Sequence, residues 1–241
     1  MTVMLSACSE DDYKLYDTTQ KDSVFLQYRN EKDELVDNME YAFNFDIVKT
    51  HTVELPVSLM GMPKDYDRTI SIVPVVEGTD MVEGMNYTVT NNIIPANEVK
   101  GTIHINLLRD KDPEILTTAK TLVLTISEND DLKPVGENRF TITYSDIRPE
   151  TRPIWWYPTK TLPVYSYENA QLFFEYFYRL LPEANPTIFN EMIELYGDYF
   201  TKWNTSMVAP TVTYENFLRQ YVLIPLYKEH PELEWQSSPL F

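Results

Sequence analysis

The sequence has one cysteine, three histidines, six glycines and only 20 basic residues among 241. Cys8 has no partner within the chain, so no internal disulfide framework supports the fold. The 20 Lys and Arg stand against 37 Asp and Glu, a net charge of −17. A nucleic-acid partner needs a basic face that displaces counterions from phosphate, and this composition supplies none. No stretch reaches the roughly 18 consecutive apolar residues of a membrane-spanning helix. Signature motifs of catalysis are missing as well: there is no HExxH, GxGxxG or phosphate-binding loop, and no Ser or Cys in a nucleophile elbow. His51, His104 and His230 lie far apart in the chain. With 37 acids, carboxylate pairs arise by chance, so they point to no glycosidase. The expectation is a protein without enzyme activity.

Apolar residues make up 43% of the chain and aromatics 13%, enough for a core and too much for disorder. Their distribution is uneven. Residues 1–150 hold 27 acidic and 14 basic residues but only 11 aromatics, whereas residues 151–241 hold 10, 6 and 21. Two regions of different construction are expected, with a boundary near 147–158.

The first region alternates. Val53, Leu55, Val57 and Leu59 share one parity, as do Ile103, Ile105 and Leu107, then Leu122, Leu124 and Ile126, then Phe140, Ile142 and Tyr144. Shorter runs occur at 24–28, at 41–48 (Phe43, Phe45, Ile47), at 70–74 and at 87–89. Period-two alternation means one buried and one wet face, and runs at this spacing predict an antiparallel β-sandwich. The second region has helical period. Ser166 is placed to cap a helix to about residue 181, Asn185-Pro186 to start one continuing through Phe200 and Trp203, and Thr213 to start a third that Pro225 kinks or ends. The predicted fold is therefore mainly β with α: residues 22–147 form the sandwich, 148–165 a Pro/Trp-rich linker, and 166–241 a helical region of about three helices.

Leu5-Ser6-Ala7-Cys8 has the lipobox pattern: an apolar residue, two small ones, then the thiol that takes the diacylglyceryl group. Residues 1–8 are read as the end of a lipoprotein signal and 9–21 as a tether. Met1 to Leu5 are too few for a signal peptide's apolar stretch of about 7–15 residues, so its start is expected upstream. Ser9-Glu10-Asp11-Asp12 resembles the surface-export signal of Bacteroidetes lipoproteins, which implies an outer-membrane protein, lipid-anchored through Cys8 and facing the cell exterior.

Further motifs carry a family likeness. Glu77-Gly78-Thr79-Asp80-Met81-Val82-Glu83-Gly84-Met85-Asn86-Tyr87 is similar to the Calx-β signature, and Ile94-Pro95-Ala96-Asn97-Glu98 resembles the turn that follows it there. The lipobox, Tyr16-Asp17-Thr18-Thr19 and the segment Leu226-Tyr227-Lys228 through His230-Pro231-Glu232 together resemble a Bacteroides family of uncharacterised surface lipoproteins with a domain of unknown function. The resemblance implies an immunoglobulin-like sandwich and an accessory role in glycan or nutrient uptake. It also implies a calcium position at Asp80, Glu83, Asp110 and Asp112, against which stand the flanking Arg109 and Lys111; no other cofactor is expected. Trp155-Trp156-Tyr157, between Pro153 and Pro158, is a candidate aromatic platform for sugar rings, or an interface that buries one indole. Two functions stay open: a non-catalytic binding or accessory module that takes a glycan or an outer-membrane protein partner, and an adhesin-like interaction module without a small ligand.

Overall fold

The computed structural model describes residues 20–30, 32–136, 138–149, 151–156, 161–204 and 212–240. Among these residues eleven strands follow one another: β1 (Asp22–Leu26), β2 (Asn38–Ala42), β3 (Thr50–Met60), β4 (Arg68–Thr69), β5 (Ser71–Pro74), β6 (Tyr87–Thr90), β7 (Ile93–Ile94), β8 (Lys100–Leu108), β9 (Lys120–Ser127), β10 (Leu132–Pro134) and β11 (Arg139–Ser145). Strands β10, β1, β3, β8 and β6 form one sheet, β2, β11, β9 and β5 a second, and β4 with β7 a two-stranded ribbon. The alternating residues of β3, β8, β9 and β11 all point into a shared core. The chain is a β-sandwich followed by helices.

Two alternating runs do not become single strands. Residues 70–74 break at Ile70: β4 pairs with β7 in the ribbon, while β5 pairs with β9. Strand β2 stops at Ala42, because the chain turns at residues 43–46, where Asn44 adopts φ 47° and Asp46 N donates to Phe43 O at 2.9 Å. The turn sends Phe43 and Phe45 into different cores and leaves Ile47 52% exposed.

Helix α1 (Tyr167–Ala184) starts at Ser166, whose side chain accepts from Asn169 N at 3.0 Å. Helix α2 (Pro186–Tyr196) starts at Asn185, which accepts from Ile188 N at 3.0 Å. These satisfy amide donors that a helix start leaves unpaired. Helix α2 is shorter than its pattern predicts. Gly197, at φ 72°, closes it by donating to Ile193 O, and Phe200 and Trp203 follow in a separate turn. Helix α3 (Val212–Leu218) takes in Thr213, the expected cap. It passes through a wide π turn (Arg219–Leu223) into α4 (Ile224–Glu229). Pro225 lacks the N–H that a regular helix would direct at Tyr221 O. The wide turn beside it absorbs the mismatch, so the helix continues where a stop or kink was expected.

The helices gather around a second, aromatic core that includes Trp155, Phe173, Phe174, Phe177 and Phe200 and takes Phe45 from the sandwich. This core sits at one end of the sandwich. There β3 begins (Thr50 beside Leu108), β2 and β11 end (Ala42 beside Ser145), and Arg109 and Asp146 emerge. The chain enters the sandwich at the other end, where Ser23 lies beside Met60 and Asp22 N donates to Asp131 O. The 11 residues of β3 span the distance, about 33 Å at roughly 3.3 Å per residue.

Candidate binding cleft at the seam

Residues 44–48 leave the sandwich and are gripped from two sides. Arg109, just past β8, holds Asp146 bidentately, with Nε to Oδ2 at 2.8 Å and Nη2 to Oδ1 at 2.7 Å. Its Nη1 also donates to Asp46 O, and to Val48 O at 3.2 Å, and its Nη2 donates to Asn44 O at 3.3 Å. From α1, the Tyr167 hydroxyl donates to Asn44 O and accepts from Arg109 Nη2 at 3.0 Å. Gln171 Nε2 donates to Asp46 O at 2.8 Å. Arg109 and Asp146 side chains are 8% and 2% exposed, so this joint is a desolvated charge pair with its donors spent on loop carbonyls.

The gripped loop forms one wall of a cleft of about 370 Å³, contributing Phe45, Asp46 and Ile47. Helix α1 supplies Phe174, Glu175, Tyr178 and Arg179, positions that helical periodicity gathers on neighbouring faces. Tyr199 closes the cleft from the turn Asp198–Phe200. Tyr199 has φ 52° and ψ 23°, and Phe200 follows at φ 57°. Left-handed backbone at bulky residues costs about 1–3 kcal/mol each. It is held there because Phe200 is buried among Trp155, Phe174 and Phe177, and because Tyr199 N donates to the Tyr178 hydroxyl at 3.0 Å. Asp46, on the opposite wall, accepts from Val48 N through Oδ1 at 3.1 Å, and its charge bears on the Tyr199 phenol.

The phenols around Asp46 stay protonated. Burial, then the Asp46 charge, raise Tyr199 far above the usual phenol range. Burial also raises Tyr178. Burial followed by Asp46 pushes Tyr41 up to about 12, and burial followed by Asp146 pushes Tyr167 up to about 12. His51, stacked on Tyr41 at 3.6 Å, is lowered by burial against the pull of Asp46. At neutral pH the site therefore offers neutral donors beside two carboxylates and one guanidinium. Because the folded values of Tyr41 and Tyr167 exceed the ordinary 10.0, their contribution to stability is complete below pH 10 and lost between about 10 and 12. Alkaline titration at 295 nm should show late-titrating tyrosines that ionise as the protein unfolds. Titration of every tyrosine near the ordinary value with the fold intact would contradict this.

A family model described as "Domain of unknown function (DUF4843)" matches residues 16–178. The chain belongs to the DUF4843 family. The match takes in the sandwich and most of α1, so Asp46, Glu175 and Tyr178 of the cleft lie inside it and Arg179 and Tyr199 outside. No curated protein matches this DUF4843 chain. Among solved structures it is similar to a two-domain Bacteroides fragilis protein of unknown function (12% identity, 53% of this chain and 46% of that one, TM-score 0.38). It is similar also to a Bacteroides ovatus protein provisionally described as carbohydrate-binding (9%, 52% and 37%, TM-score 0.37) and to CBD12 from CALX1.2 (9%, 52% and 45%, TM-score 0.34). The chain spans less than half the length of each of these.

The DUF4843 chain places the residues singled out in the sequence as follows. Cys8, residues 9–12 and Tyr157 lie outside the described residues. Trp155 is 9% exposed and Trp156 is 0% exposed, so the expected sugar platform is corrected: both indoles are core. They are not in extended chain, where neighbours point apart. Trp156 N donates to Pro153 O in a turn, and the two rings sit 5.4 Å apart in the same cluster. The four acids near the Calx-β-like motif are not brought together. Asp80 accepts from Thr121 N, Asp110 pairs with Lys49, and Asp112 caps the turn Pro113–Leu116 and accepts from Asn86. Glu83 lies near Tyr87, whose hydroxyl is raised by burial and then by this carboxylate. Among the described residues no group of three or more His, Cys, Asp and Glu is arranged to hold a metal ion. Asp46, Arg109, Asp146, Glu175, Arg179 and Tyr199 carried no signal in the sequence, apart from Gly197 marking the turn before Tyr199.

Proposed function

We propose that this protein is a non-catalytic binding module, anchored on the exterior of a bacterial outer membrane by lipid on Cys8, with the seam cleft as its working site. The observation that carries this reading is the separation of the two ends. The chain enters the sandwich at Asp22 and the cleft opens about 33 Å away, beyond the start of the 11-residue β3. A lipid-anchored chain built this way points its cleft outward, with the sandwich as a stiff spacer. No described helix is long and apolar enough to cross a membrane. Docking of a protein partner is the second reading, favoured by Val76, 92% exposed, with Val82 and Met85 also exposed on the loop before β6.

Growth of the native host with an alkyne fatty acid tests the anchor. Wild-type protein should carry the label in the outer membrane and lose it on Cys8→Ser. An unlabelled wild-type protein overturns the anchored reading.

A further inference from the structure

Resting on that reading of the cleft, we propose that its ligand is a neutral saccharide. Tyr178 and Tyr199 are half-buried, with rings 5.1 Å apart at 57°, and Tyr199 stands edge-on to the buried Phe174 at 5.2 Å. Together they make an angled aromatic floor, the kind of apolar face that matches the C–H face of a pyranose ring. Around it stand Asp46 and Glu175, which accept hydrogen bonds, and Arg179, whose guanidinium lies over the Tyr176 ring at 4.4 Å and 3.8 Å from Glu229, with five N–H donors to share between these partners and a ligand. A sugar ring offers neighbouring hydroxyls at the spacing these forked groups engage in pairs.

Charge and polarity narrow the ligand class. The lining carries two acids and one base on a chain of net −17, which disfavours phosphate, sulfate and uronate ligands. An apolar ligand would bury two carboxylates and a guanidinium without replacing their water, which is costly. A neutral, hydroxyl-rich ligand meets both limits. At about 370 Å³ the cleft is near the lower end of small-molecule sites, which run about 300–1,000 Å³, so it suits a short saccharide or one terminal unit of a longer glycan. The left-handed Tyr199, at φ 52°, fits this use. Strained backbone gathers at ligand sites, and here it sets Tyr199 in the cleft lining opposite residues 45–47.

The test uses the full chain and saturation-transfer NMR, followed by calorimetry, with cellobiose, xylobiose, maltose, mannobiose and N-acetyllactosamine as neutral probes and digalacturonate as the anionic one. At least one neutral disaccharide should bind below about 10 mM and digalacturonate at least about tenfold more weakly. Glu175→Gln should keep the melting temperature of the wild type, Arg179→Ala should lower it slightly through the lost contacts with Tyr176 and Glu229, and both should weaken that binding at least about tenfold. Tyr199→Phe should weaken it less than Tyr199→Ala. No neutral probe bound, tighter binding of digalacturonate, or undiminished binding by both the Arg179 and Glu175 variants overturns the proposal. Failure here with a labelled Cys8 removes the saccharide and leaves the anchored module standing. Saccharide binding with an unlabelled Cys8 does the reverse.

Discussion

Arg109→Met is expected to lower the stability of the protein by about 3–5 kcal/mol, the cost of leaving one member of a buried ion pair without the other. Asp146 is 2% exposed and receives two hydrogen bonds from the guanidinium, at 2.8 and 2.7 Å. The guanidinium carbon lies 4.9 Å over the Phe43 ring, and methionine keeps most of the aliphatic stem's volume, so the loss reports the charge, its donors and this cation–π contact rather than a void. Three loop carbonyls, those of Asn44, Asp46 and Val48, lose a donor at the same time. Urea unfolding followed by circular dichroism at neutral pH measures the effect, and a loss below about 1 kcal/mol would contradict it. The double variant Arg109→Met with Asp146→Leu should recover much of the loss, because two apolar groups there leave no buried charge behind. It should not fully recover the proposed saccharide binding, since the wall formed by residues 45–47 is then held only from α1, by Tyr167 and Gln171.

Trp156→Ala should cost a comparable amount, about 3–5 kcal/mol, and the damage should fall on the helices. The indole is fully buried, with Trp155, Tyr165 and Phe173 ring centroids at 5.4, 5.7 and 5.8 Å. Its Nε1 donates to Pro163 O at 3.0 Å, so truncation opens a cavity and also strands a buried carbonyl. Trp156→Phe keeps part of the packing and should lose less. The two cores are distinct and share chiefly Phe45 and the Arg109 joint, so the helical signal at 222 nm should melt earlier while the sandwich persists. A single unshifted transition would count against this division.

Much of the fold was legible because it rests on local rules. Alternation in β3, β8, β9 and β11 reports a buried face, and Ser166 and Asn185 announce helix starts through their own side chains. Alternation does not say which core receives a side chain. Phe43 and Phe45 have equal parity, yet the turn at Asn44 sends one into the sandwich and the other among the helices. The site was illegible for the same reason. Arg109 meets Asp146 and Tyr167 only after the two sheets have closed, and Asp46 and Tyr199 come from opposite ends of the chain. The tryptophan pair stayed open between a sugar platform and a buried interface because its meaning depends on whether the chain there is extended or turned.

The two-ended layout also decides how the molecule carries load. A ligand pulling on the cleft while lipid holds the N-terminus draws force in at Asp22 and out at Ser145, along β1 and β11. Both strands lie lengthwise in that line of tension, bonded to β3 and β10 on one side of the sandwich and to β2 and β9 on the other. Their hydrogen bonds are thus strained together in shear and are not peeled open singly from an end. In the anchored arrangement proposed above, the sandwich that spaces the cleft from the membrane is also a tether that resists being pulled apart.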